Sequence, residues 1–177
     1  MKETILLILG LVLVNNIALT QFLGLTPLLG FARKGEKILA LGLSVAGVTL
    51  LTAVALWLLR GVLPTFLQIF AAVVFALVFV YLLQLLLGKS LGIYFPVIAL
   101  NGAVFGLALQ TVGAEDLLTV VLSALGAGLG FLFGLFLLTG VEKKIESDHL
   151  PKAFRGFPIQ ILAAAIVALA LTAFTFQ

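Results

Sequence analysis

The sequence contains no cysteine, a single histidine and only 10% charged residues over its 177 positions. The first absence excludes disulfides, thiolate metal sites and cysteine nucleophiles together. It says nothing of compartment, because a core held in a bilayer needs no covalent staple. The lone histidine, His149, sits in the hydrophilic run "EKKIESDHLPKAFRG" and reads as a solvated loop residue. Neither a Ser–His–Asp arrangement nor a metal-ligand cluster can be built from what remains, so the chain on its own is not expected to be catalytic. The shortage of charge is the most informative absence. With 63% hydrophobic residues and a mean hydropathy of +1.35, too little polar surface is left for a soluble domain of this size. The sequence is that of an integral membrane protein.

Charge is missing in long blocks: Thr4–Ala32, Ile38–Leu59, Gly61–Gly88, Ser90–Ala114, Leu117–Val141 and Gly156–Gln177. Each exceeds the roughly 20 residues that a helix needs to cross about 30 Å of hydrocarbon. The period-two alternation of a membrane barrel is absent. An all-α integral membrane fold with six transmembrane helices, forming one membrane domain over residues 1–177, is therefore expected. The first block ends in "GLTPLLGFARKGEK" and not in a small-residue cleavage site, so it reads as a helix of the mature chain. Orientation follows from the basic residues. Arg33, Lys34, Lys37, Lys89, Lys143, Lys144, Lys152 and Arg155 fall on one side, and Lys2 and Arg60 on the other. That asymmetry places the first set in the cytoplasm and both termini on the external, periplasmic side of a cytoplasmic (inner) membrane. The net charge of +3 is thus a topology signal and not a nucleic-acid patch. No ionisable residue falls in the central part of a span, where one would cost about 2.5–3.5 kcal/mol. A carboxylate proton relay built by this chain alone is accordingly not expected. Glu115 and Asp116 form a short acidic turn at the outer side, which reads as hydrated loop.

Six spans divide into repeat one, 1–88, and repeat two, 89–177. Three is odd, so the second group inserts upside down relative to the first. Each group carries an interruption in its first helix. In "LGLTPLLG" it falls at Gly24, Thr26, Pro27 and Gly30, and in "VIALNGAVFG" at Asn101, Gly102 and Gly106. Thr26 and Gly102 are 76 residues apart, and Gly30 and Gly106 keep that offset. Pro27 has no N–H to complete a helical ladder, and glycine tolerates angles that other residues avoid. Unpaired backbone groups in lipid cost several kcal/mol each, so such breaks persist only inside protein or beside a cavity. Asn15, Asn16, Gln21 and Asn101 are the polar side chains placed to satisfy them or to line the site. Half-helix junctions near the midplane of inverted repeats are one reading; ordinary packed kinks are the other. Glycines elsewhere, notably in "GAGLGFLFG" from Gly126 to Gly134, read as small residues that let helices approach closely. Trp57 and Tyr94, near span ends, read as interface anchors.

Three stretches carry a family resemblance: "LVNNIALTQFLGLTPLLG" (Leu13–Gly30), "LGIYFPVIALNGAVFGLAL" (Leu91–Leu109) and "LPKAFRGFPIQIL" (Leu150–Leu162). Together they resemble the RnfA/NqrE family, six-helix membrane subunits of Rnf complexes and of the sodium-pumping NADH:quinone reductase. The resemblance implies an inverted-repeat fold, other complex subunits, and a homologous sister membrane subunit of opposite orientation (RnfE/NqrD-like). It also implies a [2Fe–2S] cluster shared with that sister, with one cysteine at each half-helix break. Those cysteine positions fall on Thr26 and Gly102. Such clusters are held by thiolates, and neither residue supplies one, so no metal ligand and no cofactor is expected in this chain. The scaffold motifs around both positions remain. The expected function is therefore a membrane subunit of an Rnf/Nqr-like ion-translocating electron-transport complex, without its own iron–sulfur ligands. The competing reading is a small inverted-repeat transporter or channel for an ion or small solute, without redox chemistry; in either case the partner is the sister subunit or a second copy. A divergent complex, a repurposed paralogue or deliberate replacement of the thiols would each account for the loss.

Overall fold

The computed structural model describes residues 10, 12, 16, 19–21, 23–24, 38–87, 95–145 and 151–173. Among these, every regular element is helical. In chain order they are α1 (Ile38–Leu59), α2 (Thr65–Leu87), α3 (Phe95–Ala99), α4 (Gly102–Thr111), α5 (Leu117–Lys144) and α6 (Phe157–Thr172), with a 3₁₀ turn at Lys152–Phe154 leading into α6.

Local chemistry sets these boundaries. The α1 helix fills the charge-free run between Lys37 and Arg60. Pro64 precedes α2, and its carbonyl accepts from the Leu67 N–H at 2.9 Å, closing the first turn. Proline is well placed there because helix-start N–H groups have no intrahelical acceptor to lose. Before α6, Gly156 adopts φ +86, and a proline follows within the first turn. The last turn of α5 carries Lys143 and Lys144, which complement the negative end of the helix.

Three of the helices, over Ile38–Leu59, Thr65–Leu86 and Leu117–Val141, are long and apolar enough to cross a bilayer. Val97–Thr111 and Phe157–Leu171 are shorter apolar stretches. Most of the Thr4–Ala32 block lies outside the described residues, as does Tyr94.

The central element is α1, which packs against α5, α4, α2 and α3. Leu41, Val45, Val48, Thr52 and Leu56, spaced by three and four residues, face inward; Leu39, Leu43, Leu51 and Leu58 face outward. Small residues set the contact with α5. Gly42 lies against Leu132, and Gly128 against Ala46. Moving four residues up one helix and four down the other fixes an antiparallel pair. At Gly128 the approach is backbone-close, since a Cβ there would sit 2.8 Å from the Ala46 Cα. The packing role expected for the "GAGLGFLFG" glycines is therefore visible at Gly128. By contrast, α2 is peripheral. It buries Ala72, Ala76 and Val80 along one narrow stripe and exposes Phe66, Phe70, Tyr81 and Leu86. A surface of that kind is unsuited to water and ordinary against lipid.

Replacing Gly128 with Ala is expected to destabilise the fold by about 1–3 kcal/mol, because the added methyl meets the α1 backbone and not a side chain that can swing away. Gly47→Ala, also within a helix but with open space at its Cβ position, should be neutral or raise stability by up to about 1 kcal/mol. Thermal unfolding of both variants in detergent checks the contrast, and equal losses would remove the special role of Gly128.

Candidate functional site

Between α3 and α4 one apolar run stops and restarts. The Asn101 N–H donates to the Ile98 carbonyl at 3.3 Å, closing the end of α3. Asn101 then leaves the helical region (φ −79, ψ 117), and its Oδ1 accepts from the Ala103 N–H at 3.0 Å. Its carbonyl accepts from the Val104 N–H at 3.0 Å. This is an N-cap, an arrangement worth about 1 kcal/mol over alanine on average. The break is consequently narrower than the Asn101–Gly106 segment expected from the sequence. Gly102 is the first residue of α4, and Gly106 lies within the helix. The reason is the cap itself, which restarts the helix immediately.

The first segment meets this break at a glycine. Gly24 has φ +78, and a Cβ on it would collide with Asn101 Oδ1, with Ala103 Cβ at 3.1 Å and Phe131 Cε2 at 3.2 Å close behind. Beside it, a Cβ on Gly102 would lie 3.4 Å from the Gly24 nitrogen and 3.7 Å from Leu23 Cδ2. Gly24, Asn101 and Gly102 are thus brought together, and Phe131, which they adjoin, is half-way along α5. Asn15, Thr26, Pro27 and Gly30 lie outside the described residues.

Asn16 fastens the first segment to α5. Its Nδ2 donates to the Val12 and Gly130 carbonyls, both at 2.8 Å, and its Oδ1 accepts from the Leu19 N–H at 3.2 Å. Its own carbonyl accepts from the Thr20 N–H and hydroxyl, each at 2.8 Å. Expected as site lining, Asn16 is fully buried, and its amide is committed to holding backbone. Gln21 is exposed, and its Oε1 accepts from Gln110 Nε2 near the end of α4 at 2.9 Å.

Two features were not singled out from the sequence. Trp57 Nε1 donates to the Ala114 carbonyl at 2.9 Å, and the Arg60 guanidinium, 4.4 Å from the Trp57 ring centre, also donates to that oxygen. This places a cation just past the C-terminal, negative end of α4. The Trp57 anchor was legible; its pairing with Arg60, three residues on, was the available signal for the rest. The second feature is a pair of buried polar atoms without hydrogen-bond partners, Asn101 Nδ2 and Thr52 Oγ1. They stand apart from Ser44, Thr49, Thr111 and Thr139, whose hydroxyls each donate to the carbonyl four residues back.

A chain whose long helices are apolar enough to cross a bilayer, with one apolar run interrupted and re-capped beside the middle of another helix, is of the integral membrane class. The particular family is shown by comparison with known proteins. A family model described as "Rnf-Nqr subunit, membrane protein" matches residues 4–177, and the chain belongs to that family. It is 35% identical to the A subunit of the ion-translocating oxidoreductase complex of Syntrophotalea carbinolica, covering 98% of this chain and 97% of that protein. It is 30% identical to the A subunit of the Na(+)-translocating ferredoxin:NAD(+) oxidoreductase complex of Acetobacterium woodii, over 97% and 96% of the two chains. The corresponding A subunit of Rhodobacter capsulatus is 33% identical over 98% and 97%.

The residues present do not fit the [2Fe–2S] cluster that the family resemblance implies. The chain has no cysteine, Gly102 has no ligand atom, and no three His, Cys, Asp or Glu residues converge among the described residues.

The two junction glycines should respond differently to alanine. Gly24→Ala adds a left-handed penalty of about 1–2 kcal/mol to a collision with the capping oxygen of Asn101 and should lower stability by at least that much. Gly102→Ala meets only ordinary contacts and should fold as the parent does. Thermal melts of the two variants in one detergent test this; a parent-like Gly24→Ala would show that the first segment does not close against Asn101.

Proposed function

We propose that this chain serves as the A-type membrane component of an ion-translocating electron-transport complex, contributing the half-helix scaffold without iron–sulfur ligands of its own. The observation that carries the reading is similarity over nearly the whole chain to the A subunits of such complexes. Within it, the chain crosses the membrane six times as two inverted three-helix repeats. The antiparallel pairing of α1 with α5 supports this, since these are the second helices of the two halves, as does the meeting of Gly24 with Asn101 and Gly102. Both termini lie outside, and the loop from Glu142 to Arg155 lies in the cytoplasm, following the basic residues. The partner across the junction is a homologous sister membrane subunit of opposite orientation.

The missing thiols favour a second reading, a transporter or channel that keeps the junction and works without redox chemistry. Mild solubilisation of the tagged chain from its native membrane separates the two. Co-isolation with other membrane subunits, and loss of ion-coupled electron transfer in membranes lacking the chain, fits the first. A chain isolated alone, with membranes that keep that activity in its absence, overturns it.

Topology reporters fused to either terminus should read external and one inserted between Glu142 and Arg155 cytoplasmic; a cytoplasmic C-terminus would defeat the six-span arrangement. The purified chain should carry no stoichiometric iron and sulfide and no paramagnetic signal on reduction. Iron appearing only in the assembled complex would place the ligands in a partner.

A further inference from the structure

We propose that the turn from Pro151 to Pro158, where the chain enters α6, binds the headgroup of an anionic phospholipid. Its backbone is preset. Pro151 opens the 3₁₀ turn, and the Phe154 N–H donates to the Pro151 carbonyl at 2.9 Å. Gly156 then takes φ +86, which favours glycine, and Pro158 falls in the first turn of α6. A segment held in this way loses little further backbone freedom when a ligand docks. On it, Lys152 and Arg155 are exposed, and the Arg155 N–H donates to the Lys152 carbonyl at 3.4 Å. They are one 3₁₀ turn apart, the spacing at which side chains stack on the same side.

Apolar surface continues directly below the two cations. Phe154 and Phe157 are 49% and 58% exposed, and Phe157 heads an outward face of α6 that runs on through Ile161, Leu162 and Ile166. The charge-free run begins at Gly156, so Arg155 marks the edge of the hydrocarbon. An acyl chain lying along this face therefore brings its phosphate to the level of Lys152 and Arg155. Charge decides the class of headgroup. From Pro151 to Gln177 the sequence holds these two cations and no Asp or Glu; Glu142, Glu146 and Asp148 all precede Pro151. A choline headgroup would bring a third cation to the pair, and phosphatidylglycerol brings only its phosphate. An acidic soluble protein is the weaker occupant, since it would meet the cations and leave the apolar face below them uncovered.

The site requires a membrane but neither redox chemistry nor a particular orientation, so its failure leaves the proposed function standing. The test titrates the full chain in detergent with phosphatidylglycerol or phosphatidylcholine and counts retained lipid by native mass spectrometry. The parent should hold phosphatidylglycerol at least about tenfold more tightly. Lys152→Gln and Arg155→Gln should each weaken that binding about fivefold. Lys144→Gln, which removes the same charge from the exposed end of α5, should leave it unchanged. Equal retention of the two lipids by the parent would overturn the proposal and leave the turn to an acidic protein. So would an equal loss in all three variants, since it would report net charge and not this turn, or an undiminished preference in both Lys152→Gln and Arg155→Gln.

Discussion

A helix that stops inside an apolar layer exposes donors and acceptors that lipid cannot satisfy, and here that problem falls chiefly on one residue. Asn101 closes α3 through its N–H and opens α4 through its carbonyl and Oδ1. Three polar groups of a single residue thus bridge an interruption that would otherwise cost several kcal/mol per unpaired group. The geometry is demanding. The capping oxygen lies where a Cβ of residue 24 would be, so the facing chain must present glycine there, in a left-handed conformation. The cap and the glycine are one device. Both adjoin the middle of α5 at Phe131.

Asn16 plays the complementary part eight residues earlier in the first segment. Its amide reaches the Gly130 carbonyl next to Phe131, and Phe131 is also the residue that walls Gly24. Both attachments therefore converge on one turn of α5, half-way along the helix. That turn is in place because α5 packs closely on α1 through Gly128 and Ala46, and a bulkier pair would hold it away. Small residues on one face and hydrogen bonds on the other locate the same point in the layer.

Much of this was legible in the sequence, and the limit has a physical origin. Charge placement alone bounded α1 between Lys37 and Arg60, because an ionisable residue marks the edge of hydrocarbon regardless of what the helix packs against. The site of the second break was legible too, from an asparagine and glycine in an apolar run. Its width was not, since a run of Asn and Gly does not reveal that one cap suffices to restart a helix. Nor could pattern assign Asn16. Its carbonyl partner is 114 residues away, and a polar residue in a span looks alike whether it lines a site or braces a backbone. The same holds for Gly128, distinguishable from Gly47 only once Ala46 is seen against it.

The junction described here is held without a thiol, because the chain has no cysteine. Every interaction described there, the Asn101 cap, the left-handed Gly24 and the Asn16 brace, is made by backbone or carboxamide groups of this chain. None requires a side chain at Gly102. A junction stabilised by a metal cluster would be expected to loosen when its ligands disappear, because cluster binding and local folding are coupled. One stabilised by its own caps has no such dependence.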